Sequence, residues 1–271
     1  MFLRNLFLPL VIGALTVALS MDASGTILVN EDFSHPDGDL VGQTPTPGPG
    51  SAWGAHSGGG SSPIQVTSGA AVLQQAGGGR EDASTGFAVQ SATATTYSRF
   101  DFSLPSGQTV DPDDFGLYFA HLKDSGNAFR ARVGVVTPAA GGDFILGFNA
   151  SGSRLSIADG ASHWPTELSF DTNYTVVTSY NAETGVAELW LDPVDQTSPH
   201  LTNSAGGATG TLIEAFALRQ SNDYTGSQIV DNVCVASSFG EALTCRAIPE
   251  PSCLVLIAGL ALCGVAGRKG F

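Results

Sequence analysis

Residues that could carry chemistry are scattered along this 271-residue chain instead of forming a known catalytic motif. The histidines stand at positions 35, 56, 121, 163 and 200, and none has the His-x-x-x-His spacing that would indicate a zinc site. The chain contains neither a Gly-x-Ser-x-Gly nucleophile elbow nor a Gly-x-x-x-x-Gly-Lys phosphate loop. His121 falls in a predicted strand, where we expect a packed or surface residue and not a ligand.

Carboxylates are also not arranged for hydrolysis of a glycosidic bond. That reaction uses two carboxyl groups facing each other about 5–10 Å apart. Glu183 and Glu188 flank a predicted hairpin turn without a third acidic partner, and we expect them to be exposed charges. The sequence therefore predicts a protein that is not an enzyme. The alternative is a hydrolase or lyase that acts on polysaccharides.

One acidic turn is a candidate site for Ca²⁺, which prefers oxygen ligands. Asp111, Asp113 and Asp114 are clustered there, and Asp37 and Asp39 offer two further carboxylates. Asp also favours turns by itself, and the spacing of an EF-hand is absent. No other cofactor is indicated.

Two tryptophans are candidates for stacking on sugar rings. Trp53 lies in a Pro/Gly/Ser-rich run at 43–63, which is predicted to be one long loop, and Trp164 precedes Pro165 in another loop. Both could instead cap the ends of a β-sandwich. Trp190 falls in a predicted strand and is expected in the core.

The charge balance limits the partners of the protein. The chain has 25 acidic and 11 basic residues, and residues 24–248 carry 23 and 8 of them. This balance excludes a nucleic-acid binder that works by neutralising phosphates. It also predicts repulsion of strongly anionic polysaccharides, and binding either to neutral glycans or, through calcium, to acidic ones.

Period-two patterns predict an all-β fold. Phe100, Phe102 and Leu104 alternate with polar residues, and in 129–135 the same rule places Arg130 and Arg132 together on one face. Between Tyr174 and Leu191 two strands flank a short loop that ends in Gly, which is typical of a hairpin. Further strands are predicted at 27–33, 72–75, 115–123, 144–148, 211–220 and 229–235. About eleven or twelve strands at this spacing predict two stacked sheets.

The two ends carry targeting signals. Residues 1–24 combine Arg4, an apolar run from Leu6 to Leu19 and small residues, as in a secretory signal peptide cleaved between Ser20 and Ser24. A retained membrane anchor is the alternative. At the other end, residues 253–267 form a short apolar helical span that predicts a membrane segment. Arg268 and Lys269 follow this span and hold its end on the cytoplasmic side.

The C-terminal residues 246–271 resemble a PEP-CTERM sorting signal. Pro249, Glu250, Pro251 and Ser252 match its motif, and the short span and the cations Arg268 and Lys269 follow in the same order. Ile248 stands where Val is common, and the basic cluster is thin. The resemblance implies that an exosortase-type transpeptidase removes the span and delivers the protein to the cell surface or matrix. An ordinary tail anchor is the alternative.

The region between the signals, residues 25–245, resembles laminin-G/concanavalin-A-like surface domains. The resemblance lies in an acidic–aromatic strand and a His-Pro-Asp-Gly turn at 30–42, and in strands near 174–193, 218–220 and 230–233. It implies a jelly-roll sandwich, and by analogy of fold alone an adhesion or carbohydrate-binding module. Cys234 and Cys245, the two cysteines of this exported part, are predicted to form a disulfide, because a metal site would need more ligands.

Overall fold

Two antiparallel sheets form the fold in the computed structural model, which describes residues 25–75, 80–110, 118–138, 141–152, 154–220 and 226–245. The described residues contain sixteen strands and one short α-helix, α1 (Phe239–Thr244). The strands are β1 (Ile27–Glu31), β2 (Gly38–Asp39), β3 (Gly54–Ser57), β4 (Gln65–Thr67), β5 (Ala70–Gln74), β6 (Asp82–Gly86), β7 (Thr95–Ser103), β8 (Tyr118–Lys123), β9 (Phe129–Val136), β10 (Ile145–Asn149), β11 (Ser162–His163), β12 (Tyr174–Asn181), β13 (Ala187–Leu191), β14 (His200–Asn203), β15 (Ala215–Leu218) and β16 (Ser227–Ala236).

The strands divide into a nine-stranded and a seven-stranded sheet. The order in the first is β14-β13-β12-β7-β16-β5-β4-β2, with β1 also paired to β16. The order in the second is β11-β10-β9-β8-β15-β6-β3. The main apolar core takes residues from both sheets, among them Phe100 and Val176 from one and Phe119 and Val133 from the other. The predicted all-β, two-sheet sandwich is therefore confirmed.

The hairpin predicted between Tyr174 and Leu191 is present. Strands β12 and β13 pair antiparallel, with Thr178 opposite Leu189. Gly185 has φ 71°, a left-handed conformation that suits glycine, and its N–H donates to the carbonyl of Asn181 over 2.8 Å.

The prediction of one long loop over 43–63 is wrong in part. Strand β3 lies inside it and pairs with β6 at the edge of the seven-stranded sheet. Four residues without large apolar side chains, Gly54 to Ser57, give no periodic signal, so the strand is held by its pairing with β6 and not by local sequence preference.

Helix α1 packs against the outer face of the nine-stranded sheet. Ser238 caps its start, and its hydroxyl accepts from the backbone N–H of Glu241. Phe239 covers Trp190, with ring centroids 5.0 Å apart, so Trp190 is buried as predicted but beneath this helix. The structure places a disulfide between Cys234 and Cys245, with Cα atoms 6.0 Å apart.

The signal helix predicted at 1–24 and the sorting signal at 246–271 lie outside the described residues. Among the described residues, no helix has the length and hydrophobicity needed to cross a membrane.

Candidate functional site

A β-bulge in β9 assembles the candidate site. Across from β9, Ala120 pairs with Val133 and Leu122 with Arg130, so Ala131 and Arg132 both lie opposite His121. Ala131 has φ 49°, and its N–H donates to the carbonyl of Ala150. The extra residue reverses the alternation of side chains along the strand.

The bulge separates two arginines that were predicted to share a face. Arg130 points between the sheets, where its Nε donates to the hydroxyls of Tyr180 (3.3 Å) and Thr211 (3.1 Å). Arg132 instead points to the outer face of the seven-stranded sheet, with its guanidinium 4.5 Å from the ring centroid of Tyr118. The prediction from strict alternation is therefore wrong, because it had no signal for the inserted residue.

Polar and aromatic side chains from four segments meet on this outer face. His121 lies 4.5 Å from Phe129, 5.1 Å from Tyr118 and 5.8 Å from His56, measured between ring centroids. Strand β3 brings His56, β8 brings Tyr118 and His121, β9 brings Phe129 and Arg132, and Arg219 follows β15. We name the group the histidine–arginine cluster: His56, Tyr118, His121, Phe129, Arg132 and Arg219.

Tyr118 links the two cations of the cluster. Its ring lies 4.5 Å from the guanidinium of Arg132 and 4.7 Å from that of Arg219. Cation–π contacts of this kind are worth about 0.5–2 kcal/mol and orient a guanidinium without using up its N–H donors. The donors therefore stay available to an acceptor.

Several buried polar atoms of the cluster have no hydrogen-bond partner among the described residues. They are Nε2 of His56, both ring nitrogens of His121, Nε and Nη1 of Arg132, and Nη1 of Arg219. His121 is 1 % exposed and Arg132 is 7 % exposed. Leaving a buried polar group without a hydrogen-bond partner costs about 1–3 kcal/mol of stability. Hydrogen-bond acceptors placed against this face would therefore be bound favourably.

Short side chains flank the cluster. Strand pairing places Ala217 opposite His121 and Ala215 opposite Lys123. Gly134 lies opposite Tyr118. Because directly opposite residues share a face, the long polar side chains stand next to residues that contribute little bulk.

Burial and neighbouring cations keep the histidines of the cluster neutral. Burial lowers the pKa of His121 well below its ordinary value, and His56, Arg132, Arg219 and Lys123 lower it further. Burial also lowers the pKa of His56; the carboxylate of Asp82 opposes that shift, while Lys123 and Arg219 add to it. Burial lowers the pKa of Arg132 as well, but a guanidinium stays protonated at neutral pH. Near neutral pH the cluster thus combines positive charge with an unprotonated imidazole.

The lowered pKa of His121 predicts acid sensitivity of the fold. The unfolded chain binds a proton near pH 6.5 and the folded chain does not, so stability is full above that pH and falls as pH drops toward the lowered value. We expect a loss of about 1 kcal/mol or more between pH 7 and pH 5, measured by urea denaturation. His121→Asn should flatten this slope, while His200→Asn, at an exposed position, should not. An unchanged slope in His121→Asn would contradict the assignment.

Trp53, a predicted sugar-stacking residue, is instead part of the core. It is 1 % exposed, packs against Phe33 at 6.0 Å, and donates from Nε1 to Glu31 over 2.9 Å. The carboxylate of Glu31 also accepts from the backbone N–H of Phe33 over 2.7 Å and contacts His35 at 3.0 Å. This buried acceptor draws the indole inward, so Trp53 offers no surface to a ligand.

Other predicted residues stay apart from the cluster. Trp164 is partly buried against the main core, and Glu188 lies 3.7 Å from His200. Asp37 accepts from the backbone N–H of Ser68, and Asp39 from the side chain of Gln65. The calcium candidates and the sorting motif lie outside the described residues: Asp111, Asp113, Asp114, Pro249, Glu250, Pro251, Ser252, Arg268 and Lys269. Within the described residues there is no group of three or more His, Cys, Asp or Glu side chains placed to hold a metal.

The sequence did hold a signal for the cluster that was missed. In β8, Tyr118, His121 and Lys123 alternate irregularly with core residues. Residues 24–248 contain eight cations, and three of them lie in or beside the cluster: Lys123, Arg132 and Arg219. In a chain so poor in positive charge, cations inside apolar strands indicate a role beyond solubility.

No family model matches the chain, and no curated protein matches it. Solved structures similar in fold include an alginate lyase in complex with an alginate tetrasaccharide, at 11 % identity and a TM-score of 0.48, covering 76 % of this chain and 95 % of that one. Basic winged bean lectin with Tn-antigen has 13 % identity and a TM-score of 0.40, covering 65 % and 90 %. Domain 4 of an extracellular arabinanase from Geobacillus stearothermophilus, with arabinotriose, has 12 % identity and a TM-score of 0.40, covering 82 % and 98 %.

Proposed function

We propose that this chain is an exported carbohydrate-binding protein that holds an acidic polysaccharide on the outer face of its seven-stranded sheet. The observation that carries the proposal is the buried guanidinium of Arg132, whose Nε and Nη1 have no partner among the described residues and which lies beside the equally unpartnered His121. A carboxylate oxygen is a charged acceptor that can take a hydrogen bond from either of these N–H groups.

Charge on this face differs from the charge of the whole chain. The net charge of -15 in residues 24–248, from 23 acidic and 8 basic side chains, predicted repulsion of acidic polymers. That value is a sum over the whole region. An anion bound within a few ångströms of Arg132 and Arg219 interacts most strongly with those two cations, because more distant charges are screened by salt. The cluster therefore supports direct binding of an anion, without the bridging calcium that the sequence suggested.

The rings of the cluster supply the second requirement of a sugar site. The half-buried ring of Phe129 lies 5.3 Å from the guanidinium of Arg132, whereas the ring of Tyr118 is buried. Recognition sites commonly combine apolar aromatic surface with a few fixed polar groups. The predicted signal peptide and the resemblance to a sorting signal support a location outside the cell, where the protein would encounter extracellular polysaccharides.

Calorimetric titration of the full-length chain tests the proposal. The ligands are oligosaccharides of polymannuronate, polyguluronate and polygalacturonate, each compared with its methyl ester. We expect binding of at least one free acid, about tenfold or more weaker binding of its ester because the charge is lost, and no effect of a calcium chelator. A sulfated glucan separates carboxylate recognition from attraction to any anion. Equal affinity for acid and ester would contradict the proposal.

A further inference from the structure

We propose that the histidine–arginine cluster also cleaves the polysaccharide that it holds, by β-elimination at a uronate ring. This inference rests on the proposed function, because the carboxylate must first be held by the cations. It adds a reaction to a binding site, and it assigns separate roles to His121, Tyr118 and the two arginines.

The reaction has two requirements, and the cluster supplies both. Removing the proton on the carbon next to the carboxylate places negative charge on the carboxylate oxygens, which nearby cations stabilise. Arg132 and Arg219 provide that charge, with their guanidinium groups 4.5 and 4.7 Å from the ring centroid of Tyr118. A general base must be unprotonated at working pH and free to accept a proton. Both ring nitrogens of His121 lack a partner among the described residues, so the nitrogen that is unprotonated in the neutral ring is not engaged by another donor.

The proposed step balances without any further reactant. A nitrogen of His121 takes the proton, and the electron pair of the broken C–H bond enters the enediolate and then forms the double bond to the next ring carbon. The glycosidic bond from that carbon to its oxygen breaks. The hydroxyl of Tyr118, whose ring lies 5.1 Å from that of His121, protonates the departing oxygen, and the proton on His121 then restores the phenol.

Hydrolysis by paired carboxyl groups does not fit the described part of this face. The acidic residue that acts on the cluster is Asp82, which opposes the lowering of the pKa of His56. Its Oδ1 accepts from the backbone N–H of Gln220 over 2.8 Å, and its Oδ2 accepts from the hydroxyl of Ser57 over 2.7 Å. With both oxygens bonded, Asp82 is a poor candidate for one of the two carboxyl groups that hydrolysis uses.

Access to His121 requires a movement of its neighbours. Its nitrogens are covered in the free protein, since the side chain is 1 % exposed and the rings of Phe129, Tyr118 and His56 surround it. Outward rotation of Arg132 and Phe129 would carry the guanidinium to an arriving carboxylate and would uncover His121 in the same motion. Binding and exposure of the base are thereby coupled.

The test incubates the full-length chain with the polyuronates used for binding. We expect unsaturated products, seen as ultraviolet absorbance of the new double bond and, by mass spectrometry, as fragments lighter by one water than hydrolysis products. His121→Asn should lower the rate about 10²–10⁴-fold, which is the usual contribution of a general base, while affinity changes by no more than a few-fold. Tyr118→Phe keeps the ring that contacts both arginines and should also lower the rate at unchanged affinity. His200→Asn is the matched control and should keep the full rate.

The outcomes separate this inference from the proposed function. Absence of binding to every polyuronate would overturn both. Binding by the wild type without any double bond would overturn the elimination alone, and so would fragments of hydrolytic mass. If His121→Asn does not fold, the wild-type products and the Tyr118→Phe rate still decide the matter.

Discussion

Replacing Arg132 and Arg219 together with methionine is expected to weaken binding of a polyuronate by about a hundredfold or more. Each hydrogen bond to a charged group contributes about 1.5–3 kcal/mol, and the two guanidinium groups would each lose at least one. Methionine keeps an unbranched apolar stem, so contact with the ring of Tyr118 persists in part. Titration calorimetry on the free acid and its ester measures the change.

The matched control for this experiment is Arg154→Met. Arg154 is exposed and lies outside the histidine–arginine cluster, so removal of its charge should alter affinity less than twofold. The free protein gives a second readout. Because Arg132 carries unpaired buried donors, Arg132→Met should leave thermal stability unchanged or raise it. If binding were weak because the variant is partly unfolded, its thermal stability would fall instead. Wild-type affinity in the double variant would rule out the cluster as the binding site.

Trp53→Ala is expected to lower the free energy of unfolding by about 3–5 kcal/mol, because it leaves a large cavity in the core. The loss also removes the indole N–H that donates to the buried carboxylate of Glu31. Chemical denaturation at neutral pH measures the effect. The same substitution should leave the affinity of the folded fraction for a polyuronate unchanged.

Two further variants provide comparisons for the stability of Trp53→Ala. Trp53→Phe keeps most of the ring and loses only the hydrogen bond, so it should cost less than Trp53→Ala. Trp164→Ala removes a tryptophan that is only partly buried, and it should also cost less. A Trp53→Ala protein as stable as the wild type, but deficient in binding, would restore the sequence-based interpretation of Trp53 as a sugar platform.

The sandwich was predictable because its signals are local. Alternation at Phe100 and Phe102, and a hairpin loop that ends in Gly185, depend on residues a few positions apart, and both are present in the structure. The missed strands have weaker local patterns. β3 contains no large apolar residue, and β2 and β11 are two residues long, so their state depends on a partner strand that lies elsewhere in the sequence.

The candidate site was not predictable because it depends on relations across the sequence. His121 lies on β8 and His56 on β3, and β15 and β6 stand between these two strands in the sheet. Their contact therefore depends on the order of strands in the sheet and not on local sequence. Arg132 reaches their face only through the inserted residue at Ala131, and nothing in the local sequence marks that bulge. The burial of Trp53 was missed for the same reason, since the carboxylate that accepts its indole N–H belongs to Glu31, at the end of β1.

The disulfide determines how the domain would carry mechanical load. If the chain is held at a surface through its C-terminal residues, as the predicted sorting signal would require, a pulling force enters at Cys245. The bond to Cys234 passes that force directly to β16, which pairs with β1, β5 and β7 inside the larger sheet. Helix α1 lies within the closed loop and is shielded from tension. Drag on a polymer bound at the histidine–arginine cluster would therefore enter through the seven-stranded sheet and leave through β16, so the packed core between the two sheets would carry it.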